Sequence, residues 1–145
     1  MATKEMSASA VYAGGMRFDV TGSSGFSLVE DTSVADGGAN SGFRPIELLL
    51  VALAGCTGMD VISILKKKRQ DVRSYEVKVH GVRAPEHPMV FVDITVEHVL
   101  TGHNIDPAAV ARAIELSDTK YCGVGNTLEK TAKVTSTYRI VESGE

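Results

Sequence analysis

A chain of 145 residues, 43% hydrophobic and 23% charged, is the size of one compact domain able to bury a sizeable core, and we read residues 1–145 as a single domain. Fifteen basic against eighteen acidic residues leave a formal net charge of −3, too little positive field to hold a nucleic acid or an anionic membrane. The longest uninterrupted apolar run, Leu48 to Ala54, is far shorter than the roughly 20 residues of a membrane span, and acidic Glu5 has no apolar segment behind it as a secretory leader would. A cytoplasmic protein without membrane or nucleic-acid partners is expected.

In chain order, Met16 to Val20 and Phe26 to Glu30 flank the turn cluster Gly22-Ser23-Ser24-Gly25 and read as a hairpin. Asp36 to Gly42 reads as loop. Pro45 suits the first turn of a helix, and Lys66-Lys67-Lys68-Arg69 suits the end of one, where cations offset the negative pole of the dipole. Such a helix is about 37 Å long at 1.5 Å per residue. Its first half, Leu48 to Ala54, has no polar face, so protein must surround it. One small sheet covers one face only, which calls for a second sheet or a second subunit.

Tyr75, Val77 and Val79 then alternate with polar residues, as do Val92, Ile94 and Val96, giving two half-buried strands joined across Pro85 and Pro88. Asp106-Pro107 is an N-cap followed by proline, and Val110, Ala113, Ile114 and Ser117 form the buried stripe of a second helix that ends near Lys120. Val134 to Ile140 is a last strand. The order β-β-α-β-β-α-β, with hairpins rather than regular βαβ alternation, predicts an α+β fold of antiparallel sheets.

Two cysteines in a chain expected in a reducing compartment are more often chemical than structural. Cys56 lies in Ala54-Gly55-Cys56-Thr57-Gly58-Met59-Asp60, inside the long helix, where each glycine costs about 1 kcal/mol relative to alanine. Gly55 and Gly58 lie about 60° apart on the helix surface, so they clear a strip beside Cys56 for another backbone or a substrate. They equally suit tight helix packing around a small buried cysteine, and the motif alone leaves both readings open. Cys122 lies in Tyr121-Cys122-Gly123-Val124-Gly125-Asn126. If Asn126 to Lys130 form a helical turn, backbone N–H groups there favour a Cys122 thiolate. Sixty-six residues separate the cysteines, so there is no Cys-x-x-Cys motif, and His80, His87, His98 and His103 lack helical metal-pair spacing. No metal and no organic cofactor is expected. A nucleotide loop and a serine-hydrolase elbow are likewise missing.

Arg44-Pro45-Ile46-Glu47-Leu48-Leu49-Leu50, running into Ala54-Gly55-Cys56 and Asp60-Val61, followed by Tyr121-Cys122 with Thr127-Leu128, resembles the osmotically inducible protein C and organic hydroperoxide resistance family, in its less-characterised branch. The resemblance covers nearly the whole chain and implies an intertwined homodimer with sheets wrapped around paired central helices. It implies a cysteine-based peroxidase in which Cys56 attacks the peroxide and Cys122 resolves the product, and it makes Arg17 or Arg44 the cation beside the thiolate. Two positions depart from the pattern. Ile46 stands where the hydroperoxide branch carries a glutamate, and Glu47 lies about 180° around the helix from Cys56. Gly123 stands where a proline usually follows the resolving cysteine.

The chemistry expected is therefore thiol-dependent reduction of organic hydroperoxides, and secondarily of hydrogen peroxide, through a Cys56 sulfenic acid that Cys122 converts to a disulfide, with an external dithiol closing the cycle. Methionines and leucines near the helix would make an apolar entrance. Two rivals remain at this level: a non-catalytic dimer that binds an apolar small molecule, and a dithiol–disulfide oxidoreductase. Asp60, one turn beyond Cys56, opposes negative charge on the sulfur, so a cation is required; Arg17 is the preferred candidate and Arg44 the other.

Overall fold

The computed structural model describes residues 3–144, and the chain divides between Leu48 and Leu49 into two compact units. In the first, β1 (Ala8–Tyr12), β2 (Phe18–Gly22) and β3 (Ser27–Glu30) form an antiparallel sheet in the order β1-β2-β3. The predicted hairpin is β2–β3, closed by Gly25 at φ 89°, a left-handed conformation that glycine adopts without strain. β1 was not anticipated, because Ala8-Ser9-Ala10 lacks the branched and aromatic residues that mark strands. Its register sets Tyr12 against Phe18, with ring centroids 5.5 Å apart.

A short 3₁₀ turn, Val34–Asp36, precedes the predicted loop. Buried Asp31 gathers that loop by accepting from the backbone N–H groups of Thr32, Ala39 and Ser41 and from the Ser41 hydroxyl at 2.6 Å. These donors hold its carboxyl far below the usual carboxylate range. The loop delivers Arg44, whose backbone N–H donates to Glu47 Oε1 at 2.8 Å, so Glu47 satisfies a helix-start donor that would otherwise be orphaned.

The long helix α1 is Pro45–Lys67, two residues shorter than the sequence suggested, because the chain turns left-handed at Arg69, φ 55°. In the second unit, β4 (Asp71–Arg83), β5 (Phe91–His103) and β6 (Lys133–Glu142) form a sheet in that order. Tyr75, Val77, Val79 and Gly81 of β4 oppose Leu100, His98, Val96 and Ile94 of β5, so all of these share one face. Val61 and Leu65 of α1 join Leu100, Ile105 and the buried stripe of α2 (Pro107–Leu116) in the core. Asp106 caps α2 as expected, accepting from Ala108 N at 3.0 Å.

Two expectations need correction. Val92 is exposed rather than buried, because a register shift at Val82/Arg83 lets Phe91 and Ile94 take the inward positions. And β5 and β6 are parallel, so they are joined by a helical crossover through α2 and α3 (Gly123–Leu128), not by a hairpin. The α+β class stands, with one parallel pair in the sheet.

The most apolar 18-residue window of α1 has mean hydropathy 2.1, yet only 22% of it is buried. By length and composition alone α1 could cross a membrane. Its C-terminal half, however, supplies Val61 and Leu65 to the core of the second unit, the behaviour of a core helix.

Candidate functional site

Along α1 the buried residues are Leu53, Thr57, Val61 and Leu65, spaced four apart so that they face the sheet and α2. Cys56 and Asp60 each precede one of these positions and are partly exposed. They form the border between the packed and the open faces of the helix. The two glycines beside Cys56 differ in role. A Cβ on Gly58 would touch Val77 Cγ2 at 3.4 Å, so Gly58 lets α1 approach β4, whereas a Cβ on Gly55 would meet nothing within 4 Å.

Cys122 arrives from the other side. After Leu116 the helix widens into a π-helical turn, Ser117–Tyr121, an irregularity that often re-aims side chains at functional sites. Asn126 Nδ2 donates to the carbonyls of Asp118 and Cys122 at 3.1 and 2.8 Å, and these bonds hold the turn. Cys122 then caps α3, its Sγ accepting from Gly125 N–H at 3.2 Å. This helix begins three residues earlier than the sequence suggested.

The result is a cluster in which Cys56 Sγ, Cys122 Sγ and an Asp60 carboxylate oxygen all lie within 4.8 Å of one another. Both cysteines are unbonded thiols. Ser117, fully buried, donates its hydroxyl proton to Asp60 Oδ2 at 3.0 Å. Having only one proton to give, Ser117 accepts in turn from buried Thr57 Oγ1 at 2.8 Å. Ser117 was legible only as part of the buried stripe and Thr57 was passed over; a hydroxyl on a buried helix stripe was the available signal that a polar group lay nearby.

Burial pushes the Cys122 thiol up to about 12, and the neighbouring Cys56 and Asp60 act in the same direction against the Gly125 N–H. The expectation that the helix start would favour a Cys122 thiolate is overturned: desolvation outweighs a single backbone donor. Beside the cluster, Met59, Asp60, Ser63, Ile64, Lys67, Leu116 and Tyr121 line an open cavity of about 500 Å³.

Arg17 and Arg44 belong to the first unit. Arg17 Nε pairs with Asp19 Oδ1 at 3.0 Å, and Arg44 donates to the Gly42 carbonyl and to Asn40 Oδ1. Within the second unit, Lys67 shares the cavity with Asp60, a cation that sequence reasoning passed over as a helix-end charge.

An α+β chain that carries two distant, unbonded thiols to one point beside a carboxylate is, by its chemistry, a dithiol protein. The chain belongs to the OsmC-like protein family, whose sequence pattern matches residues 38–137. It is 39% identical over 127 residues to Protein YhfA of Escherichia coli K12, covering 88% of this chain and 92% of that protein. Among solved structures, a hypothetical protein from Aquifex aeolicus VF5 superposes with a TM-score of 0.85 at 26% identity, covering 98% of this chain and 100% of the other. The organic hydroperoxide resistance protein OhrB of Bacillus subtilis shares the fold, with a TM-score of 0.62 at 18% identity over 95% of this chain and 100% of that one.

Proposed function

We propose that the protein is a cysteine-based peroxidase that reduces organic hydroperoxides without a cofactor. The observation that carries the reading is the approach of two thiols from positions 56 and 122 to within 4.8 Å, together with Asp60. In the cycle, the Cys56 thiolate attacks one peroxide oxygen and the O–O bond breaks. The alcohol leaves with a proton, and Cys56 becomes a sulfenic acid. The Cys122 sulfur then attacks the Cys56 sulfur, water leaves, and a disulfide forms. An external dithiol reduces it and is itself oxidised. That requirement for a reducing partner fits a reducing compartment, and a cytoplasmic location is part of the proposal.

The partly apolar cavity beside Asp60, with Met59, Ile64 and Leu116 in its wall, suits the organic part of a hydroperoxide better than hydrogen peroxide. Arg17 is retained as the cation that opposes Asp60, with Arg44 and Lys67 as the comparisons. A homodimer is part of the proposal, because Leu49, Val51 and Met59 on α1 are 40%, 51% and 73% exposed, an apolar face that a second copy would cover.

Thiol titration before and after one equivalent of cumene hydroperoxide tests the reaction. Two thiols per chain should disappear. The Cys56→Ser variant should lose none, since a hydroxyl is a far weaker nucleophile, and Cys122→Ser should accumulate a sulfenic acid trapped by dimedone. Unchanged thiols in the wild-type protein would refute the reading. They would favour the apolar-ligand alternative, and thiol loss only with small disulfides would favour the dithiol oxidoreductase. Sedimentation at micromolar concentration tests the dimer; a stable monomer would overturn it.

A further inference from the structure

Disulfide chemistry between Cys56 and Cys122 needs two sulfurs. It does not need a carboxylate. Once either thiol ionises, Asp60 adds a second negative charge within 4.8 Å, and among the described residues no lysine, arginine or histidine of the same unit forms an ion pair with it. Two thiols and a carboxylate so close together, which become three anionic donors when a metal displaces the thiol protons, are the complement of a small divalent cation.

The geometry points to a further activity: we propose that the reduced Cys56–Asp60–Cys122 cluster binds a thiophilic divalent cation, with Zn²⁺ as the representative ion. In a tetrahedral zinc site with bonds of about 2.3 Å to sulfur and 2.1 Å to oxygen, the donors stand roughly 3.6–3.8 Å apart. The three donors, all within 4.8 Å of one another, therefore need to close by at most about 1 Å to reach that spacing. Two of the three already carry an outer partner of the kind that orients metal ligands. Gly125 N–H donates to Cys122 Sγ at 3.2 Å, and the Ser117 hydroxyl donates to Asp60 Oδ2 at 3.0 Å. The Thr57 hydroxyl fixes Ser117 in turn.

Binding replaces two S–H bonds by two Zn–S bonds and releases two protons to solvent. With two thiolates, one carboxylate and Zn²⁺ the site carries one net negative charge, and the fourth position is left for water. No motif announces such a site, because topology and not sequence spacing assembles it. The metallated and disulfide states exclude each other, since both use the same two sulfurs. The inference does not rest on peroxide chemistry, so its failure would leave the peroxidase reading untouched.

The test is competition for Zn²⁺ between a chromophoric chelator and the reduced, full-length protein, with Co²⁺ absorption as a probe of thiolate ligation. Reduced wild-type protein should take up one Zn²⁺ per chain and give a sulfur-to-Co²⁺ charge-transfer band. Cys56→Ser and Cys122→Ser should each weaken uptake by roughly 100-fold or more, and Asp60→Asn by about 10-fold, the scale on which even outer-shell partners act. Oxidation of the wild-type pair to the disulfide should abolish uptake without any substitution, which keeps the test valid if a variant misfolds. Equal uptake by reduced and oxidised protein, or none by the reduced protein, would overturn the proposal.

Discussion

The proposed resolving step offers the sharpest test of the site. Burial first, with the Cys56 thiol and Asp60 acting the same way, holds the Cys122 thiol up at about 12 against an ordinary 9.0 in the reduced pair. Its thiolate there is therefore about a thousandfold scarcer at neutral pH than that of a free cysteine, and the burial part of that shift persists when Cys56 is a sulfenic acid. At pH 8 only about one chain in 10⁴ carries it. If attack on the Cys56 sulfenic acid requires the Cys122 thiolate, the rate of disulfide formation must rise about tenfold for each pH unit from 7 to 10, with no plateau near 9.

A stopped-flow experiment separates this step from the first. One equivalent of hydroperoxide is added, sulfenic acid is trapped at intervals with dimedone, and disulfide is counted by loss of the second thiol. The pH dependence of the second phase is the readout. The burial argument fails if that phase is independent of pH or levels off near the value of a free thiol. A change that crowds the packing around the sulfur is the complementary perturbation. A Cβ at Gly125 would stand 3.3 Å from both Cys122 Sγ and Leu53 Cδ1. Gly125→Ala should therefore push the sulfur aside and alter the resolving phase more than the peroxide step.

Three further outcomes are expected. His98 is fully buried and driven down to about 4 by desolvation; the unfolded chain takes up its proton below 6.5, so stability is complete above pH 6.5 and falls by up to about 3 kcal/mol as the pH drops to 4. Urea unfolding should show that slope, about 1.4 kcal/mol per pH unit, vanish in His98→Asn, and an unchanged slope would disprove the assignment. Ser117→Ala leaves Thr57 Oγ1 and Asp60 Oδ2 without their shared partner and should cost about 1–3 kcal/mol in the same measurement; an unaltered midpoint would show that the hydroxyl chain is not structural. Arg17→Met should slow alkylation of Cys56 by iodoacetamide at pH 7 several-fold while Arg44→Met and Lys67→Met do not; a rate matching the wild type would eliminate Arg17 and pass the role to whichever variant is slow.

The elements with strong periodicity were legible in the sequence: Tyr75, Val77 and Val79 alternate, and Asp106-Pro107 starts a helix as such a pair should. Cys56 and Cys122 were legible through the family resemblance of their two motifs in combination, because the glycines beside them suit tight packing or a turn equally well. What escaped has a physical reason in each case. β1 carries small residues with little intrinsic preference and is held by its pairing to β2, an interaction no local window contains. The parallel pairing of β6 with β5 depends on where a crossover returns the chain. Likewise the Thr57–Ser117–Asp60 relay spans 60 residues; Asp60 was legible as a charge beside Cys56, but no local window links it to the two hydroxyls.

The position of Cys56 on α1 ties these observations together. A helix whose apolar window is 22% buried has one face committed to the core through Leu53, Thr57, Val61 and Leu65 and another left open at Leu49, Val51 and Met59. A thiol on the open face would lie under the second copy that the proposed dimer seats there, and one on the committed face would be unreachable. Cys56 lies on the line between them. The partner sulfur, by contrast, is 2% exposed. Under the proposed cycle an incoming hydroperoxide would therefore meet Cys56 first, and Cys122 would react with what Cys56 has become. Burial and the raised Cys122 thiol pKa thus both favour the order of steps that the proposed cycle requires.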